Sequence, residues 1–226
     1  MTGELIGLSA FTLGCAALAT LVALPVGVAL AWWLARGAFP GRALIETLVT
    51  LPLVMPPVAT GLILLTLLAP RGPIGALLAR AGIDIVFTWR AVVLAMALMG
   101  MPLLVRTARA GFEHVDVRYE HIARTLGATP LRAFMTVTLP LATRSLVAGA
   151  VLAFARSLGE FGATIMVAGS IPGRTRTLST AIYAYAETGM DRQAMVLLGV
   201  SAVLSFSAVF YSNRLLESWS STSTSR

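Results

Sequence analysis

The stretch LIGLSAFTLGCAALATLVALPVGVALAWWLA, residues 5–35, contains no charged side chain. A helix that crosses a bilayer needs about 20 mostly apolar residues, whereas runs of about 10–14 suit buried helices of soluble domains. This run therefore predicts a membrane span. A secretory signal would have a basic start and an apolar core of about 7–15 residues. Here Glu4 precedes a much longer run, so a retained helix is expected. Cys15, the one cysteine in the chain, falls inside it with no partner for an intramolecular disulfide and reads as packing.

The rest of the chain is of the same kind. Of 226 residues, 57% are hydrophobic and 12% charged, and the mean hydropathy is +0.84. That is more apolar surface than one water-soluble core can hide. Further runs at 47–69, 91–105, 145–168 and 194–213 predict an all-α, polytopic membrane bundle of about five transmembrane helices. In the second run Pro56 and Pro57 mark a bend, because proline removes a helix hydrogen bond and clashes with the preceding turn. The third is short and relies on Arg90 and Arg106 reaching the interfaces. Residues 178–190, LSTAIYAYAETGM, suit an interfacial helix or a re-entrant piece and are not counted as a span.

All 17 basic residues are arginines, and their placement sets an expected orientation. With the N-terminus outside and the C-terminus inside, the cytoplasmic side receives Arg36, Arg42, the arginines of a long central loop, Arg214 and Arg226. The outer side keeps Arg71, Arg80, Arg90, Arg174, Arg176 and Arg192. A net charge of +7 then points to anionic lipid headgroups rather than nucleic acid, for which no basic, aromatic-interleaved platform is present.

The central loop, about 111–140, is too long for a plain helix connection, which takes about 2–8 residues. Within it YEHIARTLG reads as a short helix ending at Gly127, a residue suited to the left-handed position past a helix end. ATPLRAFMTV restarts a helix, with Thr129 as cap and Pro130 at its first position. Two short tandem helices result, with Leu131, Phe134 and Met135 on one face. They fit a partner's groove or an interfacial hairpin on lipid, and spacing alone does not choose.

This segment resembles the EAA loop of binding-protein-dependent ABC importers, whose pattern is EAA, three residues, glycine, and a downstream I-x-LP. Gly127 supplies the glycine, and Leu139 and Pro140 the closing pair. The triplet falls on His121, Ile122 and Ala123, with the acid one position early as Glu120. RGAFPGR, TLPLVMPPVATG, GFEHVDVRYEHIARTLGA and LAFARSLGEFGATIMVAGSIPGRTRT are similar, in sequence and order, to the molybdate permease branch of that family. The resemblance implies a bacterial cytoplasmic-membrane permease, 1–216, with a disordered cytoplasmic tail at 217–226. It implies alternating access in a homodimer, a separate ATPase pair that binds ATP and Mg, and an outer oxyanion-binding protein. The loop then docks on the ATPase through Glu120, His121, Ala123, Arg124, Gly127, Ala128, Pro130, Phe134, Leu139 and Pro140. Tungstate and sulfate or thiosulfate stay open as cargoes.

A path for a tetrahedral dianion needs donors and positive potential without a site that traps the ion. Arg156, Ser157, Gly159, Glu160, Phe161, Gly162 and Thr164 interrupt the fourth run at near-helical spacing, and Pro56 and Pro57 interrupt the second. Arg156 and Glu160, four apart, neutralise each other and set the helix geometry. Ser157 and Thr164 are the expected path hydroxyls, and Gly159 and Gly162 allow close helix approach. Outside, Arg174 and Arg176 either meet acidic rims of the binding protein or solvate a turn.

The sequence has no GxxxxGK[ST] motif and no lysine, so ATP is expected on another chain and this one is expected to be no enzyme. His114 and His121 lack metal-ligand company, so no metal site is expected. A stand-alone secondary carrier would be signalled by paired broken helices, and the sequence suggests no such pair.

Overall fold

The computed structural model describes residues 2–37 and 39–221. Its helices are α1 (Thr2–Arg36), α2 (Arg42–Val54), α3 (Pro57–Leu68), α4 (Gly75–Arg80), α5 (Trp89–His114), α6 (Val117–Thr125), α7 (Pro130–Ala133), α8 (Leu139–Leu158), α9 (Gly162–Ala168), α10 (Leu178–Glu187) and α11 (Asp191–Ser221). A π-helical turn, Phe134–Thr138, fuses α7 to α8. Four stretches are long and apolar enough to cross a membrane, or five if the bent pair α2 and α3 counts as one.

Contacts between helix ends show that the bent pair does run from one end of the bundle to the other. At one end Arg36, closing α1, donates to the Val115 carbonyl just past α5, and Arg42, opening α2, lies 3.4 Å from Glu113. At the other end Tyr185 of α10 donates to Glu4 at 2.6 Å, and the loss of that hydrogen bond on ionisation, with partial burial, raises the Tyr185 pKa. There too the Phe87 amide donates to Val167 at the close of α9, and Leu68, closing α3, shares a cavity with Phe87 and Thr88. The chain thus makes five passes, α1, α2 with α3, α5, α8 with α9, and α11.

α5 is the hub. Of its most apolar stretch 67% is buried, against 11% for that of α11. Lipid tails supply no hydrophobic force between helices, so close packing has to hold them. Small residues provide it. A Cβ on Gly100 would sit 3.0 Å from the Ala153 carbonyl, one on Gly149 3.1 Å from that of Leu104, and one on Gly111 2.3 Å from Ser145. The numbers rise along α5 as they fall along α8, so the two cross antiparallel. Cys15 is buried in the same core, among Ala16, Ala19 and Met96.

Several boundaries differ from the expectations. The bend in the second run is a break of 113°. Met55 and Pro56 each precede a proline, which excludes the helical region, and both are extended (ψ 146° and 128°). The third pass, expected at 91–105, is the whole of α5, started by Thr88 accepting from the Arg90 amide. The central loop therefore shrinks, and its second expected short helix is the opening of the pass through α8. The fourth run is not one helix, since it breaks at 159–161. Two broken helices thus exist where the sequence suggested only the bend at Pro56 and Pro57. The tail expected to be disordered from 217 continues α11 through Ser221, because extending a formed helix costs little, and residues 222–226 lie outside the described residues.

α3 and α9 pack on each other through Gly61, where a Cβ would lie 2.7 Å from both the Cα and the carbonyl of Ala163. Gly61→Ala should cost about 1–3 kcal/mol by overpacking and lower the melting temperature in detergent. Gly14→Ala, at an open position, should not.

Candidate functional site

α6 is built to stand clear of the bundle. Asp116 caps it by accepting from the Arg118 amide at 2.9 Å. Gly127, at φ +89°, ends it, and the Ala128 amide returns to the Ala123 carbonyl at 3.0 Å, the six-to-one bond of a glycine-terminated helix. Thr129 then caps the next helix by accepting from the Arg132 amide, with Pro130 at its first position. No residue of α6 is buried. Tyr119, Ile122 and Leu126, one face at helical spacing, are 56%, 56% and 83% exposed, and Leu131 continues the apolar strip. His121 and Arg124 are exposed on the same helix, and Ala123 is half-buried.

The other loop residues serve as anchors. Phe134 packs edge-on to Trp32 at 5.3 Å and against Phe112 at 6.0 Å, so it is half-buried on the bundle. Leu139 is packed on the adjacent core. Pro140 accounts for the π turn. It has no N–H to give the Thr136 carbonyl and its ring clashes there, and the Leu139 amide bonds one residue further back, to Phe134. Each inserted residue turns the remainder of the helix by about 100°, and Thr138 ends up fully buried.

Glu120 is engaged within the chain. Its Oε1 accepts from Arg36 Nη2 at 2.8 Å and from Thr138 Oγ1 at 2.7 Å. Sequence reasoning missed Arg36 and Thr138, seeing in Arg36 only an interfacial charge. They are far apart in sequence and carry no local signal.

In mid-bundle the two breaks face each other. A Cβ on Gly162 would lie 2.7 Å from Pro57 Cβ, so the second and fourth passes meet where each is interrupted, beside Pro56. Glu160, 1% exposed, accepts from the Ala163 amide at 2.8 Å and thereby caps α9. Its other oxygen forms an ion pair with Arg156 Nη1 at 2.7 Å without an aligned hydrogen bond. Gly159 closes α8, and Phe161 leans on Tyr183 at 4.9 Å. The two expected path hydroxyls are inside the protomer. Ser157 donates to Ala153 at 2.9 Å with Met96 as alternative acceptor, and Thr164 is fully buried with its hydroxyl unpartnered.

At the opposite end, Arg176 is held by Ser170 through Nε and Nη2. Arg174 is exposed and lines, with Arg90 and Trp89, an open cavity of about 410 Å³.

Residues 23–218 match the family described as binding-protein-dependent transport system inner membrane component. The chain belongs to that family. This permease is 47% identical over 206 residues to the molybdenum transport system permease protein ModB of Escherichia coli strain K12, covering 90% of each. It is 38% identical to the putative molybdenum transport system permease protein YvgM of Bacillus subtilis strain 168, covering 87% of each. A sulfate transport system permease protein, CysT of E. coli K12, is 40% identical over 185 residues, 80% of this chain and 67% of the relative. Its fold matches a solved bacterial ABC transporter that imports alginate, with a TM-score of 0.72 at 19% identity over 95% of this chain and 79% of that one. It also matches the inward-facing MetNI methionine transporter, at 0.67 and 18%, over 96% and 95%. The permease is thus a transport subunit in a membrane, as its sequence indicated.

The buried pair makes a stability prediction. Arg156→Ala leaves the Glu160 carboxylate buried with the α9 amide alone and should cost about 3–5 kcal/mol. Arg156→Met with Glu160→Gln, which keeps an acceptor for the Ala163 amide, should recover most of it in a detergent melt.

Proposed function

We propose that two copies of this permease form the membrane path of a molybdate importer driven by a separate ATPase pair and fed by an outer oxyanion-binding protein. The observation that carries the cargo is the 47% identity, over 90% of each chain, to a molybdenum permease. The sulfate permease relative, at 40% over a smaller share, keeps sulfate as the second reading, with tungstate beside it as a close chemical analogue of molybdate.

The geometry supports the following mechanism. α6 offers an exposed apolar strip flanked by His121 and Arg124, which suits a groove in a cytoplasmic ATPase subunit. ATP and Mg are bound there. When the two ATPase subunits close, the paired α6 helices follow, and the bundle opens outward to receive the oxyanion. Hydrolysis returns it. The end bearing α6 also gathers Arg36, Arg42, Arg109, Arg118 and Arg132, which supports a cytoplasmic placement by the positive-inside tendency. The N-terminus is then outside and the C-terminus inside.

The path passes the facing breaks at Pro56, Pro57 and Gly162, with the Arg156–Glu160 pair fixing their geometry. Glu160, tied to Arg156 and to the α9 amide, is kept from opposing an anion as a free carboxylate. Arg174, at the mouth, draws the binding protein by charge, which acts mainly on the rate of encounter.

Two measurements check this. In proteoliposomes holding the permease, its ATPase subunit and the binding protein, ATP should drive molybdate uptake that tungstate suppresses and a large excess of sulfate does not. Equal suppression by sulfate would move the cargo to the second reading. Gly127→Val places a β-branched residue in the left-handed region, at about 1–2 kcal/mol, and should leave ATP hydrolysis running while uptake falls. Normal uptake per ATP would refute the docking role of the turn.

A further inference from the structure

We infer that Arg36 is a positioning residue that carries the movement of α6 into the membrane helices, acting through Glu120. The inference rests on the importer reading for its direction of force, but the contact itself does not.

α6 is covalently held at both ends and has no buried residue, so little packing ties it to the bundle. Glu120 of α6 bonds to the membrane helices. One of its oxygens receives two donors from different elements, Arg36 at the last turn of α1 (2.8 Å) and Thr138 in the π turn that opens α8 (2.7 Å). Arg36 also donates to Val115 at 3.0 Å, just past the end of α5. The ends of α1, α5 and α8 therefore meet on one guanidinium and one carboxylate.

This junction differs from the other ion pairs at that end of the bundle. Arg109 with Glu46 and Glu113, and Arg42 with Glu113, join α5 to α2 and have a half-exposed carboxylate, 42% for both Glu46 and Glu113. The side chains of Arg36 and Glu120 are 17% and 20% exposed, and Thr138 is fully buried. A charge-assisted bond shielded from water is stiffer and less screened by salt than an exposed one. Arg36 thus acts as a strut between α6 and the bundle. Without it α6 keeps its own caps, Asp116 and Gly127, and still docks, but slips against the bundle when pulled.

The test uses the full complex in proteoliposomes, with binding-protein-stimulated ATP hydrolysis and uptake measured separately. Arg36→Ala should retain the ATPase subunit and its hydrolysis while uptake per ATP falls by about 3- to 30-fold, and Glu120→Ala should lower uptake per ATP by a similar factor. Arg36→Cys with Glu120→Cys, joined by a short bis-thiol crosslinker, should regain most of it. Unchanged uptake per ATP in the single variants would overturn the inference. So would loss of the ATPase subunit in Glu120→Ala but not in Arg36→Ala, which would place the carboxylate against the partner, or failure of the crosslink to restore coupling. A readout without cargo or ATPase separates this from the importer reading. Amide hydrogen exchange across 117–125 of the permease alone should speed up in Arg36→Ala, and equal exchange would sink the strut even if uptake behaves as proposed.

Discussion

The antiparallel crossing of α5 on α8 is the constraint on which the rest of the molecule depends. In a bilayer no water is released when two apolar helices meet, so they hold by fitting closely and by leaving no polar group exposed to hydrocarbon. Glycine and alanine at the crossing bring the backbones together, and the larger side chains Met96, Met99, Leu104 and Phe112 are buried around that seam. α1 leans on both helices, and the break in the fourth pass is sheltered against this block, with Glu160 and Gly162 buried, while Pro56 and Pro57 of the second break are exposed and meet the protein at Gly162.

Each break satisfies its freed groups differently. At Met55 and Pro56 the consecutive prolines both force extension and remove donors that would otherwise need acceptors. At Gly159 to Phe161 a buried carboxylate fills the gap, accepting the Ala163 amide in the first turn of α9 and neutralising the arginine one turn earlier. That makes Glu160 a structural part of the backbone as well as half of a charge pair. The fourth pass thereby exchanges helix continuity for a joint, at the place where it touches the joint of the second pass.

Much of this was legible in the sequence, for identifiable reasons. Long uncharged runs fixed the existence of the passes, and local chemistry located the stop at Gly127, the restart at Thr129 and Pro130, and the bend at Pro56 and Pro57. What escaped was set by distant partners. Nothing near Arg36 marks it as bound to Glu120, and nothing near Thr138 shows that a proline two residues later turns its side chain inward. The run at 145–168 reads as one helix because Gly159 and Gly162 are also ordinary helix-packing residues. Only Pro57, far off in sequence, reveals that Gly162 belongs to a break. The burial of Ser157 and Thr164 was equally hidden. Helical spacing puts Ser157 and Thr164 near each other, while the seam with Met96 and the packing of α9 took both inside.

The burial of Cys15 leaves the permease chemically quiet. Its one thiol lies within the α1–α5 core at 7% exposure, and the chain has no lysine side chain. Water-soluble thiol reagents meet no accessible native cysteine, and amine reagents meet no ε-amine. A cysteine introduced anywhere on the surface, or a lysine placed at a chosen contact, would stand out against that background. The natural chain already offers the blank slate that labelling studies of membrane transporters normally have to engineer.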